Sequence, residues 1–157
     1  MIGNLEEIPG VENSAAHGLS VVIPVYNSEL ILHELARRLE SVLSKITPDY
    51  EIVFVDDSSP DHSRNVIRHL ALQSPRIRAV SLMRNYGQHN ALLCGIRAAR
   101  YGVIVTMDDD LQHPPEEIPK LLAVLDEGYD VVYGAPEHEQ HGLGRGESAG
   151  ISSIAGR

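Results

Sequence analysis

Five short apolar runs rich in β-branched residues alternate with longer stretches in which apolar residues recur at helical spacing. The runs are LSVVIPVYN, YEIVFVDD, RIRAVSLM, GVIVTM and YDVVYG. Such runs predict buried strands, and the stretches between them predict amphipathic helices. Because a helix between two strands usually returns the chain to a parallel neighbour, this order predicts an α/β fold, a Rossmann-like, mainly parallel sheet with helices on both faces.

The periodic pattern covers residues 19–134, which we expect to form one domain. A chain of 157 residues that is 43% hydrophobic suits a single core. Residues 1–18 are acidic, interrupted by Gly and Pro, and lack a signal-peptide pattern, so we expect a mobile leader. Residues 135–157 are rich in Gly, Ser, Glu and His and predict an irregular or disordered tail.

Charge and cysteine content exclude several classes of protein. A net charge of -9 argues against a nucleic-acid binder, which needs basic groups to neutralise phosphates. Cys94 is the only cysteine, so no internal disulfide is expected. No apolar stretch approaches the ~20 residues that cross a bilayer. Together these features predict a cytoplasmic protein.

Two local patterns give more detailed expectations. In SSPDHS, Ser59 is predicted to be the N-cap of a helix that has Pro60 at its first position. The helix predicted over QHNALLCGIRAAR is apolar almost all round, so we expect it to be buried.

Polar residues follow four of the five predicted strands. In a parallel sheet the carboxyl ends of the strands share one edge, where ligands usually bind. Each pair alone is also explained by the turn-forming tendency of Asp and Asn, but their coincidence favours a binding site. The groups are Tyr26-Asn27, Asp56-Asp57, Arg84-Asn85 and Asp108 to Asp110.

The aspartate triplet is the strongest signal. In an extended chain alternate residues point the same way, ~6.5 Å apart, so Asp108 and Asp110 can converge while Asp109 turns aside. With an amide oxygen from Gln112 they would supply hard ligands suited to Mg²⁺ or Mn²⁺. So few protein ligands leave room for water and substrate phosphates. The alternative, acids that complement the following helix N-terminus, needs only one or two of them.

Asp56 and Asp57 point to opposite faces of the second strand if it stays extended to its end. One of them should therefore face the crevice. Beside Tyr26, that carboxylate could accept an N–H from a nucleobase. Capping of the next helix by Asp57 explains the same spacing equally well.

Several motifs together resemble family 2 glycosyltransferases, especially the branch that transfers sugars to polyprenyl phosphates. They are VVIPVYN, VDDSSPD, RNYGQHNALLCGI, MDDDLQHPPEEIPKLL and GYDVVYG, in the family's order. The resemblance covers about residues 19–134 and implies a GT-A nucleotide-sugar-binding domain. It implies inverting transfer from a nucleotide-diphosphate sugar to a polyprenyl phosphate or another membrane-borne acceptor. Full-length relatives would associate with the cytoplasmic face of a membrane.

The resemblance also assigns residues to roles. Asp57 would face the base, with Asp56 the less favoured candidate. Asp108 and Asp110 with Gln112 would bind the metal, and Asp108 and Asp109 would also lie beside the nucleotide. The other nucleotide-binding positions would be Pro24, Tyr26, Asn27, Arg84, Asn85 and Asn90. The RNYGQHN segment is explained equally well as a turn into a helix.

Two departures from the family pattern affect the acceptor side. Pro136 stands where many relatives have an arginine, which leaves Arg145 as the nearest substitute for an acceptor-phosphate contact. His138 and His141 could serve as ligands or proton carriers, but on the irregular tail we expect them to be solvated. Because relatives continue further, we expect a truncated chain whose catalytic base lies outside it.

The same residues argue against two other classes of protein. A response-regulator receiver needs an acid pair after its first strand and a lysine after its fifth, and this chain has neither. Haloacid-dehalogenase phosphatases carry their Asp-x-Asp near the beginning of the chain, whereas Asp108 and Asp110 stand late in this one, which argues against that class. A non-catalytic fragment that binds nucleotide sugar remains the alternative, and formation of a homo-oligomer is left open.

Overall fold

The computed structural model describes residues 18–134 and 153–156. Within this part of the chain, every helix is too short or too polar to span a lipid bilayer. The strands are β1 Leu19–Val25, β2 Tyr50–Asp56, β3 Ile77–Ser81, β4 Val103–Met107, β5 Val131–Gly134 and β6 Ser153–Gly156. The helices are α1 Leu32–Ile46, α2 Ser63–Gln73, α3 Gln88–Ala98 and α4 Ile118–Leu125, the last preceded by a 3₁₀ turn at Pro115–Glu117.

The strands form one six-stranded sheet in the order β3-β2-β1-β4-β6-β5. The first four are parallel, whereas β6 runs antiparallel to both β4 and β5. The prediction of a mainly parallel sheet is therefore confirmed. Strand β6 lies in the segment that was expected to be irregular. Its four residues carry no strand pattern of their own, and their backbone pairs with strands already in place.

Alternation along the strands divides the core between two faces of the sheet. On one face Val21 and Ile23 of β1 join Ile52 and Phe54 of β2, and α1, α2 and α4 cover them. On the other face Val22 of β1 joins residues of β2 under α3. Helices on both faces are thus confirmed, and α3 alone packs on the second face among the described elements.

Helix α3 is less buried than its composition predicts. Only Ala91 and Gly95 are buried in it, and the Leu93 side chain is 44% exposed. A Cβ at Gly95 would lie 2.3 Å from Val22 Cγ1 and 2.9 Å from Val55 Cγ2, so the helix backbone rests directly on the sheet. The expectation of an all-round buried helix was wrong, because α3 contacts the sheet along one side only, through Ala91 and Gly95 with Leu92 and Cys94 partly buried beside them.

Helix α2 starts later than its sequence suggests, at Ser63, so the prediction of Ser59 as N-cap was wrong. The Ser59 hydroxyl instead accepts the backbone N–H of Asn27 at 3.1 Å. Asp61 accepts the N–H of Ser63 at 3.0 Å and the N–H of Glu29 at 3.1 Å. Both side chains join the β1–α1 loop to the β2–α2 loop, a long-range contact that local capping rules do not include.

A buried polar cluster lies at the opposite edge of the sheet. Glu51 is 3% exposed and accepts hydrogen bonds from the Ser20 hydroxyl, the Arg78 guanidinium and the Arg100 N–H. Each partner satisfies part of a carboxylate that would otherwise be costly to bury. The cluster ties β1, β2 and β3 to the chain that enters β4.

Candidate functional site

Strained backbone is concentrated at the carboxyl edge of the sheet. Asn27 follows β1, Ser58 follows β2 and Leu111 follows β4, with φ values of 57°, 59° and 60°. Non-glycine residues in this left-handed region cost about 1 kcal/mol or more each, so such strain commonly marks sites where geometry serves function. Gly87, with φ of 90°, makes the corresponding turn before α3.

A cleft of about 340 Å³ opens between these loops. It brings together seven of the residues that the sequence predicted. These are Pro24, Tyr26, Asp57, Asn85, Asp108, Asp109 and Asp110. Its remaining lining residues are Val25, Gly87 and Gln88, which sequence reasoning did not single out.

Three other predicted residues lie away from the cleft lining. Asn27 lines a neighbouring groove of about 430 Å³, on the other side of Asp109. Asp56 is completely buried and forms a 2.9 Å ion pair with Arg64. Gln112 is exposed, and its backbone N–H donates to Asp110 Oδ1 at 3.0 Å.

Arg84 and Asn90 support the loop beside the cleft without lining it. The Arg84 guanidinium lies 4.8 Å from the centre of the Tyr86 ring, and the Asn90 amide donates to the Tyr86 carbonyl at 2.7 Å. Asn85 Oδ1 accepts the N–H of Gly87 at 2.9 Å. These contacts stabilise the turn into α3, which was one of the two explanations of this segment.

Asp57 is tied to the same loop. Its two carboxylate oxygens accept the N–H groups of Tyr86 and Gly87, each at 2.8 Å, and the residue is only 2% exposed. These bonds go to the β3–α3 loop rather than to the first turn of α2, so Asp57 does not act as its cap. The carboxylate faces the cleft but already carries two strong hydrogen bonds.

The three aspartates of the triplet have different surroundings. Asp109 accepts hydrogen bonds from the Ser28 hydroxyl and from the Tyr26 N–H at 3.3 Å, so it is held by the β1–α1 loop. Asp108 accepts a 2.6 Å hydrogen bond from the Gln88 side chain. Asp110 is exposed to the cleft.

Burial and mutual repulsion make the charges of this cluster costly. Burial raises the pKa of Asp108, and the neighbouring charges of Asp110 and Asp109 raise it further. Burial also raises the pKa of Asp109. His113, a residue that sequence reasoning missed, lowers the pKa of Asp108. A bound cation would relieve the same repulsion.

The donor set fits a hard divalent cation that is only partly held by protein. Asp110 is close enough to raise the pKa of Asp108, and both residues line the cleft. Among residues 18–134 and 153–156, no three His, Cys, Asp or Glu side chains are arranged to hold a metal alone. Two carboxylates are the usual protein share when Mg²⁺ also binds water and substrate phosphates.

Arg145, the candidate for an acceptor-phosphate contact, and His138 and His141 lie outside the described residues, as do residues 1–17 and most of the segment 135–157 that was predicted to be irregular. The described site therefore comprises the donor side of the prediction: the cleft, the aspartate triplet and the two loops that flank them.

Comparison with known proteins gives a consistent result. Residues 20–152 match the model of the family described as Glycosyl transferase family 2. Undecaprenyl-phosphate 4-deoxy-4-formamido-L-arabinose transferase from Enterobacter sp. (strain 638) is 49% identical over 127 residues, which are 80% of this chain and 39% of that protein. The Pseudomonas fluorescens (strain Pf0-1) protein of the same name is 49% identical over 74% of this chain and 34% of its own. The chain thus spans about two fifths or less of these relatives.

Solved structures share the fold. Glucosyl-3-phosphoglycerate synthase from Mycobacterium tuberculosis, in complex with Mn²⁺, uridine diphosphate and phosphoglyceric acid, superposes with a TM-score of 0.64 at 24% identity. That match covers 81% of this chain and 46% of the synthase. Its complex with Mn²⁺, uridine diphosphate and glucosyl-3-phosphoglycerate gives a TM-score of 0.58 at 26% identity, over 77% and 44% of the two chains.

Proposed function

The chain belongs to glycosyl transferase family 2 and has a GT-A fold, and from this premise we propose that it transfers a sugar, with inversion, from a nucleotide-diphosphate sugar to a polyprenyl phosphate. The acceptor class is supported by the relatives that are 49% identical and named as undecaprenyl-phosphate sugar transferases. The donor class is supported by the cleft, which places carboxylates, an aromatic ring and a helix N-terminus around one space.

The observation that carries the proposal is the placement of Asp108 and Asp110 just after the C-terminal end of β4, in one cleft with Tyr26. These two carboxylates would hold Mg²⁺ or Mn²⁺, with Gln112 in the same loop as a third candidate. When bound, the ion would act as a Lewis acid that neutralises the diphosphate and stabilises the departing nucleoside diphosphate. Mn²⁺ and uridine diphosphate accompany the synthase that is 26% identical.

Residues of the chain itself would position the donor. Tyr26 is 51% exposed at the cleft and offers a ring surface to the nucleobase. Gly87 and Gln88 place the N-terminus of α3 at the cleft, where backbone N–H groups and the helix dipole favour phosphate oxygens. We assign Asp57 to the nucleoside side of the cleft, where it holds the loop that carries both of these residues.

The acceptor would attack from the open side of the cleft. A phosphate monoester is largely ionised near neutral pH, so its oxygen is already a nucleophile and needs no strong base. Direct attack on the anomeric carbon breaks the bond to the diphosphate and inverts the configuration. In the whole protein this reaction would take place at a membrane surface, because the acceptor is a lipid, and we propose that this surface is the cytoplasmic face.

A second function deserves a test because the chain spans only 39% of a relative that is 49% identical. In this second function the chain would bind nucleotide sugar through the same metal site without transferring the sugar. Two measurements separate the two functions. A panel of nucleotide sugars is first titrated with and without Mn²⁺ to measure binding. Release of nucleoside diphosphate is then assayed after polyprenyl phosphate is added as the acceptor. Metal-dependent binding with no release over hours supports the binding function.

Asp110→Ala tests the metal site common to both functions. We expect the unmodified chain to bind a nucleoside diphosphate in Mn²⁺ and to lose this binding in excess chelator. The variant should bind at least about 100-fold more weakly, since even outer partners of metal ligands contribute 10–100-fold. Asp130→Ala, at an exposed aspartate away from the cleft, is the control. If both variants bind the nucleoside diphosphate equally well, or if excess chelator does not change binding by the unmodified chain, the proposed metal site is contradicted.

A further inference from the structure

Gln88 connects helix α3 to the aspartate triplet at the cleft through one hydrogen bond. Its side-chain Nε2 donates to Asp108 Oδ1 at 2.6 Å, between residues 20 positions apart in the chain. A carboxylate only accepts hydrogen bonds, so the amide nitrogen rather than the amide oxygen must face it. The bond joins the first turn of α3 to the end of β4, where the candidate metal ligand lies.

The position of Gln88 is set by buried groups. Gly87, immediately before it, adopts a φ of 90° that other residues rarely take. The N–H groups of Tyr86 and Gly87 are bound by the buried carboxylate of Asp57 at the end of β2. An exposed side chain therefore extends from a backbone that the core of the sheet holds in place.

We propose that Gln88 is a positioning residue for Asp108, which it holds in the orientation that binds the metal. With Oδ1 engaged by the amide, Oδ2 is left as the oxygen that faces a cation. The hydrogen bond also opposes the repulsion by which Asp109 and Asp110 would turn Asp108 away. Partners of this kind orient metal ligands and typically contribute 10–100-fold to metal affinity.

This inference rests on the proposed function, since it assumes a divalent ion at Asp108. It predicts an effect on Mn²⁺ that is independent of nucleotide. If Gln88 acted instead by direct contact with the donor phosphates, its loss would weaken nucleotide binding and leave the affinity for Mn²⁺ alone unchanged. The two effects are measured separately by titration of the metal alone and of nucleotide at saturating metal.

Gln88→Met is the decisive variant, because methionine keeps the length of the side chain and helix propensity but removes the donor. Gln73→Met is the matched control, at an exposed glutamine at the end of α2. Electron paramagnetic resonance reports free Mn²⁺ and the symmetry of bound Mn²⁺, and a purely structural role would not change that spectrum. We expect Gln88→Met to weaken Mn²⁺ binding 10–100-fold and to alter the spectrum, with an unchanged Tm.

Each outcome has one meaning. Normal Mn²⁺ affinity and spectrum in Gln88→Met, with binding by the unmodified chain, overturn the inference and leave the metal site in place. An equal loss in Gln73→Met also overturns it. Absence of Mn²⁺ binding in the unmodified chain, with and without nucleotide, overturns the proposed metal site and this inference together.

Discussion

Replacement of Asp57 by asparagine separates two roles of this carboxylate. The resemblance to relatives assigns it to the nucleobase, whereas the structure shows both oxygens bound to the N–H groups of Tyr86 and Gly87. Asparagine keeps the size of the side chain but has one accepting oxygen. Its NH₂ group would then face one of the two backbone donors, in a place that is 2% exposed.

The cost can be worked out from these contacts. A hydrogen bond to a charged group contributes about 1.5–3 kcal/mol, and one of the two is lost outright. The other becomes a neutral bond, which loses about 1 kcal/mol more, whereas the Gly87 N–H keeps Asn85 Oδ1 as a second acceptor, so we expect the free energy of unfolding to fall by about 2–3 kcal/mol. For a chain of this size that lowers Tm by roughly 4–12 °C.

Urea unfolding followed by circular dichroism, in the absence of nucleotide, measures this cost directly. Asp130→Asn, at an exposed aspartate, is the control for the change of charge and should leave the midpoint unchanged. A loss of nucleotide affinity in Asp57→Asn with unchanged stability would refute the anchoring role and favour contact with the base. Loss of stability without nucleotide supports the anchor.

Two further predictions concern the scaffold. Gly95→Ala places a Cβ 2.3 Å from Val22 Cγ1 and 2.9 Å from Val55 Cγ2. Overpacking costs about 1–3 kcal/mol and outweighs a gain in helix propensity of up to about 1 kcal/mol, so the free energy of unfolding measured in urea should fall by about 1–2 kcal/mol. A stabilised variant would show that α3 moves freely on the sheet. Glu51→Ala removes the buried acceptor of a polar cluster and should cost about 3 kcal/mol, whereas the exposed Glu34→Ala should leave Tm unchanged. Equal Tm values for these two variants would contradict the importance of burial at Glu51.

The elements that could be predicted are those whose signal lies within a few consecutive residues. Continuous apolar runs such as IVFV identify a strand buried on both faces, and the helical spacing of Leu35, Leu39 and Leu43 identifies the buried stripe of α1. Parallel pairing follows from the alternation of strands and helices. The same order places Asp57 and the aspartate triplet at one edge, and the cleft is lined by them.

Strand β6 and the partners of the loop residues could not be predicted in this way. The backbone of β6 pairs between β4 and β5, and this depends on neighbours already assembled rather than on its own four residues. Ser59 illustrates the same limit, because its hydroxyl binds the N–H of Asn27, 32 positions away. Local capping rules do not include such a partner.

By itself, the amino-acid sequence determined the order of elements, the face that each strand residue takes and the edge at which the acidic groups collect. These properties depend on hydrophobic periodicity, which is a property of neighbouring residues. Only the tertiary structure decided which acids are left to face the cleft and which are held by other groups. Asp56 pairs with Arg64 of α2, Asp109 with Ser28 and Asp108 with Gln88 of α3, because contacts between separate elements are set by distances that exist only once the sheet has formed.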